Sequence, residues 1–131
     1  MIPVKGFGES EGKGADQKCT DFEALDGEAI ALGGLWKEYI HSKTGEVITT
    51  CSVITLGQAE WLKPYHTTAS PLMLPDNDNT RQMWLDSSFK DRDAFDDLLQ
   101  PQLVQDLIAT PIDKPTKYNP IGESIVLKKG S

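Results

Sequence analysis

Long apolar runs are missing from this sequence, and their absence limits where the protein can reside. No stretch approaches the roughly 18 to 20 consecutive apolar residues that span a bilayer. The opening residues, MIPVKGFGES, contain neither the apolar segment nor the small-residue cleavage site of a signal peptide. We therefore expect a soluble, cytoplasmic protein without a membrane partner. The length of 131 residues suits a single domain spanning positions 1–131.

Cysteine and histidine are also scarce, with two of each in the chain. Cys19 and Cys51 lack the CxxC spacing of a metal or redox site, and disulfides are rare in a reducing compartment. Two histidines and two scattered cysteines cannot form a convincing zinc site. There is no glycine-rich phosphate loop and no GxSxG nucleophile turn. We expect no metal and no cofactor.

Positive charge is in deficit, and the formal net charge is -7. This balance argues against non-specific nucleic-acid affinity over the whole surface. It leaves room for a local basic groove, because charges act over about a Debye length. Five aspartates lie within residues 86–97, whereas seven of the eleven lysines lie within residues 5–18 and 114–129. Any nucleic-acid contact is therefore expected to be local.

Glycine turns between β-branched runs predict antiparallel strands. Asp26-Gly27 and Thr44-Gly45 are turn dipeptides, so residues 28–40 and 46–56 are expected to pair. The stretch GESEGKGADQKCTD predicts a polar loop between two strands, with residues 11–20 as a movable rim. The stretches PLMLP and SIVLKK predict short strands.

Helical patterns come later in the chain. Asp78 or Asn79 is a candidate N-cap, and Pro101 suits a first helical turn. We therefore expect the α+β class: mostly antiparallel strands in an open barrel-like sheet, with helices between Asn79 and Ile108 packed outside.

Three apolar or small residues carry further structural expectations. Gly33 and Gly34 are expected where strands approach closely. Trp36, which follows them in an apolar stretch, is expected in the core.

Three residues are candidates for chemistry. Glu9 follows Gly6 and Gly8, so a tight turn could present its carboxylate; the alternative is an exposed loop glutamate. His66 can serve as a general acid or base near neutral pH, or it can be a structural turn histidine. Asn119 in KYNP could bind a phosphate or base edge, but a turn asparagine before proline is the favoured interpretation.

Taken in order, five stretches resemble the SOS response-associated peptidase (SRAP) domain, whose members process abasic sites in DNA. The stretches are IPVKGFGES, DGEAIALGGLWKEY, SVITLGQAEWLKPYHTTASPLMLP, MWLD and ATPIDKPTKYNP. The resemblance covers nearly the whole chain. Each stretch alone is a weak signal, and their order and spacing together are moderately specific.

The resemblance implies site residues and a partner. The glutamate of the family's Gly-Phe-x-Glu turn and the histidine before its apolar strand are active-site residues, and they match Glu9 and His66. Thr55 and Asn119 become candidates for supporting DNA contacts. The implied partner is single-stranded or abasic DNA, and the implied reaction is lyase-type processing or crosslinking, with peptide hydrolysis as a distant third possibility.

The chain departs from the family pattern in several places. Gly8 and Ser10 replace aromatic residues beside the glutamate, and the step after His66 lacks the family's arginine and methionine. Family members begin with a cysteine whose amine and thiol attack the abasic aldehyde, followed by an Asn-Ala-Arg stretch. Neither is present, so an amino-terminally truncated domain is expected. The alternative is a non-catalytic DNA-binding or protein-interaction relative, such as a phage-type or degenerate copy.

Overall fold

Short antiparallel strands dominate the computed structural model, which describes residues 1–131. The elements, in chain order, are β1 (Ile2–Val4), β2 (Gly6–Glu11), β3 (Lys18–Ala24), β4 (Ile30–Leu32), β5 (Gly34–Ile40), β6 (Val47–Val53), β7 (Thr55–Leu56), β8 (Ser70–Pro71), α1 (Asp78–Leu85), β9 (Leu107–Ile112) and β10 (Ile125–Leu127). They form four sheets, ordered β1-β4, β10-β9-β3-β2, β5-β6 and β7-β8. The predicted α+β class with mostly antiparallel strands is confirmed. No sheet closes into a barrel, so barrel-like curvature stays a prediction.

Strand β3 forms the centre of the core because it pairs with both β2 and β9. Side chains alternate between the two faces of a strand, and Phe22 and Ala24 occupy the buried face. The Phe22 ring stacks on Phe7 with centroids 5.1 Å apart and meets Trp61 edge-on at 6.0 Å. This face therefore packs against a 3₁₀ turn at Glu60–Leu62.

Strands β5 and β6 form a separate two-stranded ribbon, with Gly34 opposite Val53 and Ile40 opposite Val47. At its tip the backbone N–H groups of Lys43 and Thr44 both donate to His41 Nδ1 at 3.2 Å. The predicted pairing of the two segments and the Thr44-Gly45 turn are confirmed, and Gly45 adopts a φ of 71° that favours glycine.

The predicted burial of Trp36 is wrong, because its side chain is 71% exposed. The ribbon leaves the body of the domain after Gly34, and almost all its residues on both faces are exposed. An apolar stretch such as GGLWKEYI is compatible with a core strand, but no element of residues 1–131 covers it.

Gly33 and Gly34 lie at a close approach of strands, as predicted. A Cβ at Gly33 would lie 2.5 Å from Leu72 Cδ2, and one at Gly34 would lie 2.8 Å from the Ser52 carbonyl oxygen. Only glycine fits both positions without displacement of these neighbours.

Helical content is smaller than predicted. The single α-helix, α1, is capped by Asn77, whose side chain accepts a hydrogen bond from the Thr80 N–H at 3.0 Å, and not by Asp78 or Asn79. A single 3₁₀ turn follows at Asp93–Phe95.

The predicted helix from Pro101 towards Ile108 is wrong. Leu103 and Leu107 are both buried, and their four-residue spacing matches a helix face. Residues from Leu107 onward instead form β9, because this segment pairs with β3 along its whole length.

The polar loop predicted for residues 8–21 is mostly strand. Strands β2 and β3 pair from Gly6–Glu23 to Glu11–Lys18, so only residues 12–17 connect them and the predicted rim at 11–20 is shorter. The strand predicted in SIVLKK is confirmed as β10. No helix has the length and apolar character needed to cross a membrane.

Candidate active site

Glu9 lies within β2, and the prediction of a tight turn at this position is wrong. It is paired with Thr20 of β3, two positions along from the Phe7–Phe22 pair. Because side chains two residues apart share a sheet face, Glu9 extends the buried face that carries Phe7 and Phe22. A regular strand, anchored by neighbouring ring packing, therefore positions the carboxylate.

His66 is held by the 3₁₀ turn that packs against the same face. Its backbone N–H donates to the Leu62 carbonyl oxygen at 2.8 Å, and the Tyr65 N–H donates to the same oxygen at 2.9 Å. Leu62 is fully buried, and the Tyr65 ring meets Phe22 edge-on at 5.3 Å. The turn before Pro64 thus fixes the backbone from which the imidazole projects.

The structure brings Glu9 and His66 together. His66 Nδ1 lies 3.5 Å from Glu9 Oε2 and 3.0 Å from the carbonyl oxygen of Ser10. Both side chains are only about one-fifth exposed. A carbonyl oxygen can only accept, so neutral His66 carries its proton on Nδ1 and donates it to Ser10. The Nε2 atom then has a free lone pair and can act as a proton acceptor.

Burial raises the pKa of the Glu9 carboxyl above its ordinary value of 4.5; the His66 charge opposes this shift, and the Glu11 charge reinforces it. Removal from water disfavours the ionised form, which is the larger effect here. Glu9 therefore keeps its proton to a higher pH than an exposed glutamate and can serve as a general acid. A carboxyl group with a raised pKa beside an imidazole that can accept a proton at Nε2 is an acid–base pair.

A small cleft of about 160 Å³ borders Glu9. Ser10, Cys19 and Tyr118 line it, and Cys19 Sγ lies 3.3 Å from Ser10 Oγ. Sequence reasoning missed all three. The role of Ser10 lies in its carbonyl, which every residue has, and Tyr118 arrives from a distant turn, so no local pattern signals either one. Predicting that Cys19 lines the cleft would have required the β2–β3 register, which pairs Cys19 with Ser10.

Thr55 does not line the cleft beside Glu9. It lies in β7, paired with Pro71, and its side chain is exposed. A DNA contact by Thr55 stays a prediction.

Asn119 belongs to a turn that closes on Asp113. Its Nδ2 donates to Asp113 Oδ2 at 3.0 Å, and its backbone N–H donates to Asp113 Oδ1 at 3.0 Å. The favoured interpretation as a turn residue agrees with these bonds. The second Nδ2 hydrogen and Oδ1 are left for a DNA contact, which also stays a prediction. No group of three or more His, Cys, Asp or Glu side chains is arranged to hold a metal ion.

The fold is an antiparallel α+β domain in which a strand glutamate lies beside a turn histidine. The particular family follows from the sequence: residues 1–117 match the family described as SOS response associated peptidase (SRAP). Because this match covers most of the chain, the protein belongs to the SRAP family. No curated protein matches the sequence.

Two solved structures share the fold. A protein from Bacteroides thetaiotaomicron gives a TM-score of 0.70 at 22% identity, covering 86% of this chain and 48% of that chain. A protein from Bordetella bronchiseptica gives a TM-score of 0.68 at 23% identity, covering 86% of this chain and 54% of that chain. This chain therefore spans about half the length of the solved structures that it matches.

Proposed function

We propose that this chain is the acid–base part of a SRAP-type domain that processes abasic sites in DNA, with Glu9 and His66 as the catalytic pair. The observation that carries the proposal is the meeting of the two side chains, 3.5 Å apart, at a place where both are only about one-fifth exposed. The family resemblance supplies the substrate class.

The chemistry needs two proton transfers. A ring-opened abasic site is an aldehyde, and an attacking amine forms a carbon–nitrogen bond to its carbonyl carbon. The amine then loses a proton, which His66 Nε2 can accept and pass to the alkoxide oxygen, so that a hydroxyl group forms. The hydroxyl group leaves as water after it gains a proton, which neutral Glu9 can donate. Each such transfer contributes about a hundred- to ten-thousand-fold in rate.

The attacking amine is not supplied by Cys19 or Cys51. Both are internal residues, so their backbone nitrogens are amides and not amines. Complete crosslinking would need an amine and a thiol from another source. Within this proposal residues 1–131 contribute proton transfer and DNA contact, with the Thr55 hydroxyl and the Asn119 amide as candidate contacts to the sugar-phosphate backbone.

Free cysteine offers a direct test, because it carries both an amine and a thiol. Its reaction with a single-stranded oligonucleotide containing one abasic site would be followed with and without the protein. We expect the protein to accelerate capture of the aldehyde, and Glu9→Gln or His66→Asn to remove most of the acceleration. The matched control is His41→Asn, at a turn histidine outside the cleft. Capture at the same rate with and without the protein would contradict the proposal.

A non-catalytic DNA-binding or protein-interaction role is the second candidate. A large exposed apolar surface beside β5 favours it, since such surfaces mark contacts with other molecules. Binding of abasic DNA without any acceleration of aldehyde capture would support this second function.

A further inference from the structure

An apolar groove of about 480 Å³ separates the β5–β6 ribbon from α1. Its walls include Leu35 and Trp36 from the ribbon, Trp84 and Leu85 from α1, and Phe95 and Leu99 from the following segment. Leu35, Trp36 and Leu85 are each more than half exposed. Contiguous apolar surface of this kind marks an interaction site, and neither the Glu9–His66 pair nor the cleft beside Glu9 includes any of these residues.

Internal packing holds one wall of the groove in place. The Trp84 ring meets Phe95 edge-on at 5.4 Å, and Phe89 meets Phe95 at 5.5 Å. A Cβ at Gly33 would lie 3.3 Å from Trp84 Cζ2, so a glycine lets the indole sit close to the strand backbone. The groove is therefore a formed feature and not a loose gap.

The other wall lacks support of its own. An isolated two-stranded ribbon is marginally stable in water, and this ribbon is exposed on both faces. A molecule that filled the groove would bury Leu35 and Trp36 and would also stabilise the ribbon.

Charge around the groove selects the occupant. Five exposed aspartates flank the lining residues in the segment that forms one wall, against two cations, Lys90 and Arg92, of which Arg92 lines the groove itself. The aspartates are Asp86, Asp91, Asp93, Asp96 and Asp97. They repel phosphates, and they repel a second copy of a chain whose net charge is -7. The complementary occupant is apolar and positively charged.

The shared fold occurs elsewhere with additional polypeptide. In the two solved structures, the matched region makes up only 48% and 54% of the chain. We propose that the apolar groove docks a polypeptide segment outside residues 1–131 that carries apolar side chains between lysines or arginines. This inference does not depend on the proposed DNA chemistry.

Two synthetic peptides provide the test. They share the same apolar residues and are flanked by lysines in one and by glutamates in the other. Each is titrated into the protein while tryptophan emission and binding heat are recorded. We expect the lysine-flanked peptide to bind and to shift the emission to shorter wavelength. Its binding should weaken with salt, because exposed charges are screened.

Variants locate the binding. Trp36→Ser should weaken binding of the lysine-flanked peptide by roughly tenfold or more, because it removes an aromatic side chain that anchors the peptide. Leu99→Asn, outside the ribbon, gives a second test that does not depend on ribbon folding. Reversing charge with Asp91→Lys and Asp93→Lys should reduce the preference for lysine flanks. Val126→Ser, at an exposed apolar residue of β10, is the matched control.

Several results would overturn the proposal. They are equal binding of both peptides, binding of neither, and unchanged affinity in Trp36→Ser and Leu99→Asn. Dimer formation through the groove in sedimentation, or displacement of the peptide by oligothymidylate, would assign it to a second copy or to nucleic acid. Glu9→Gln and His66→Asn should bind the peptide like the wild type, which separates this test from that of the catalytic pair.

Discussion

The ring of Tyr65 meets the ring of Phe22 edge-on, with centroids 5.3 Å apart and planes at 87°. Tyr65 directly precedes His66, and Phe22 lies two positions from Thr20, the strand partner of Glu9. The contact therefore couples the two halves of the candidate site. Packing in the core sets the distance between the carboxylate and the imidazole.

Loss of the Phe22 ring should damage both stability and the site. Phe22 is fully buried, so Phe22→Ala should lower the free energy of unfolding by about 3–5 kcal/mol. Trp36→Ala removes a larger ring at an exposed position and should cost less than about 1 kcal/mol. Urea unfolding measures both. Similar losses in the two variants would contradict the assignment of Phe22 to the core and Trp36 to the surface.

The stability contribution of Glu9 should depend on pH in a defined direction. Burial raises the pKa of its carboxyl above 4.5, so the folded state binds this proton more tightly than the unfolded chain does. Ionising Glu9 therefore costs stability as the pH rises through the raised pKa. Glu9→Gln cannot ionise, so its stability relative to wild type should increase from pH 4.5 upward and then level off. Urea midpoints across this range provide the measurement, with Glu123→Gln at an exposed position as control. If the stability of Glu9→Gln relative to wild type stayed flat or fell with pH, the pKa of Glu9 would not be raised in the folded protein.

Gly34 should not tolerate a side chain. A Cβ there would lie 2.6 Å from Ile2 Cδ1 and 2.8 Å from the Ser52 carbonyl oxygen. Gly34→Ala should therefore cost about 1–3 kcal/mol, the usual range for overpacking. At Gly57 no atom lies within 4 Å of the added Cβ and φ is not positive, so Gly57→Ala should be neutral or slightly stabilising. Thermal unfolding of the pair tests the close approach at the base of the ribbon.

Binding to single-stranded DNA should be weak and strongly salt-dependent. The net charge of -7 opposes the approach of phosphates, and few lysines are available to release counterions. Fluorescence anisotropy at several salt concentrations measures this dependence. Incubation with abasic DNA should give no covalent product from this chain alone. A heat-stable shifted band on a denaturing gel would show that another amine of the chain reacts.

Local patterns predicted the turns and several strands but not their surroundings. The turn at Thr44-Gly45 is specified by a dipeptide, so the β5–β6 pairing could be read from sequence. The exposure of Trp36 could not be read from sequence. A pattern shows that a residue is apolar, but it does not show whether another element covers that residue. The error at Leu103 and Leu107 has a similar origin. Their spacing fits a helix, and only the long-range pairing of β9 with β3 decides for a strand.

In the candidate site, too, some residues could be predicted from the sequence and others could not. The family resemblance pointed to Glu9 and His66, and the structure places them together. The Ser10 carbonyl that orients His66 depends on the exact path of β2 past the turn, which a one-dimensional pattern does not contain.

Cys51 faces Trp36 across the ribbon and is an exposed free thiol, whereas Cys19 is buried. A thiol-reactive fluorophore should therefore label the natural sequence at one position, next to the groove wall. Energy transfer or quenching between the dye and Trp36 would then report occupancy of the groove without any engineered residue. The same exposure makes the ribbon the place where oxidation would first join two chains, so a reducing buffer is needed to keep the purified protein monodisperse.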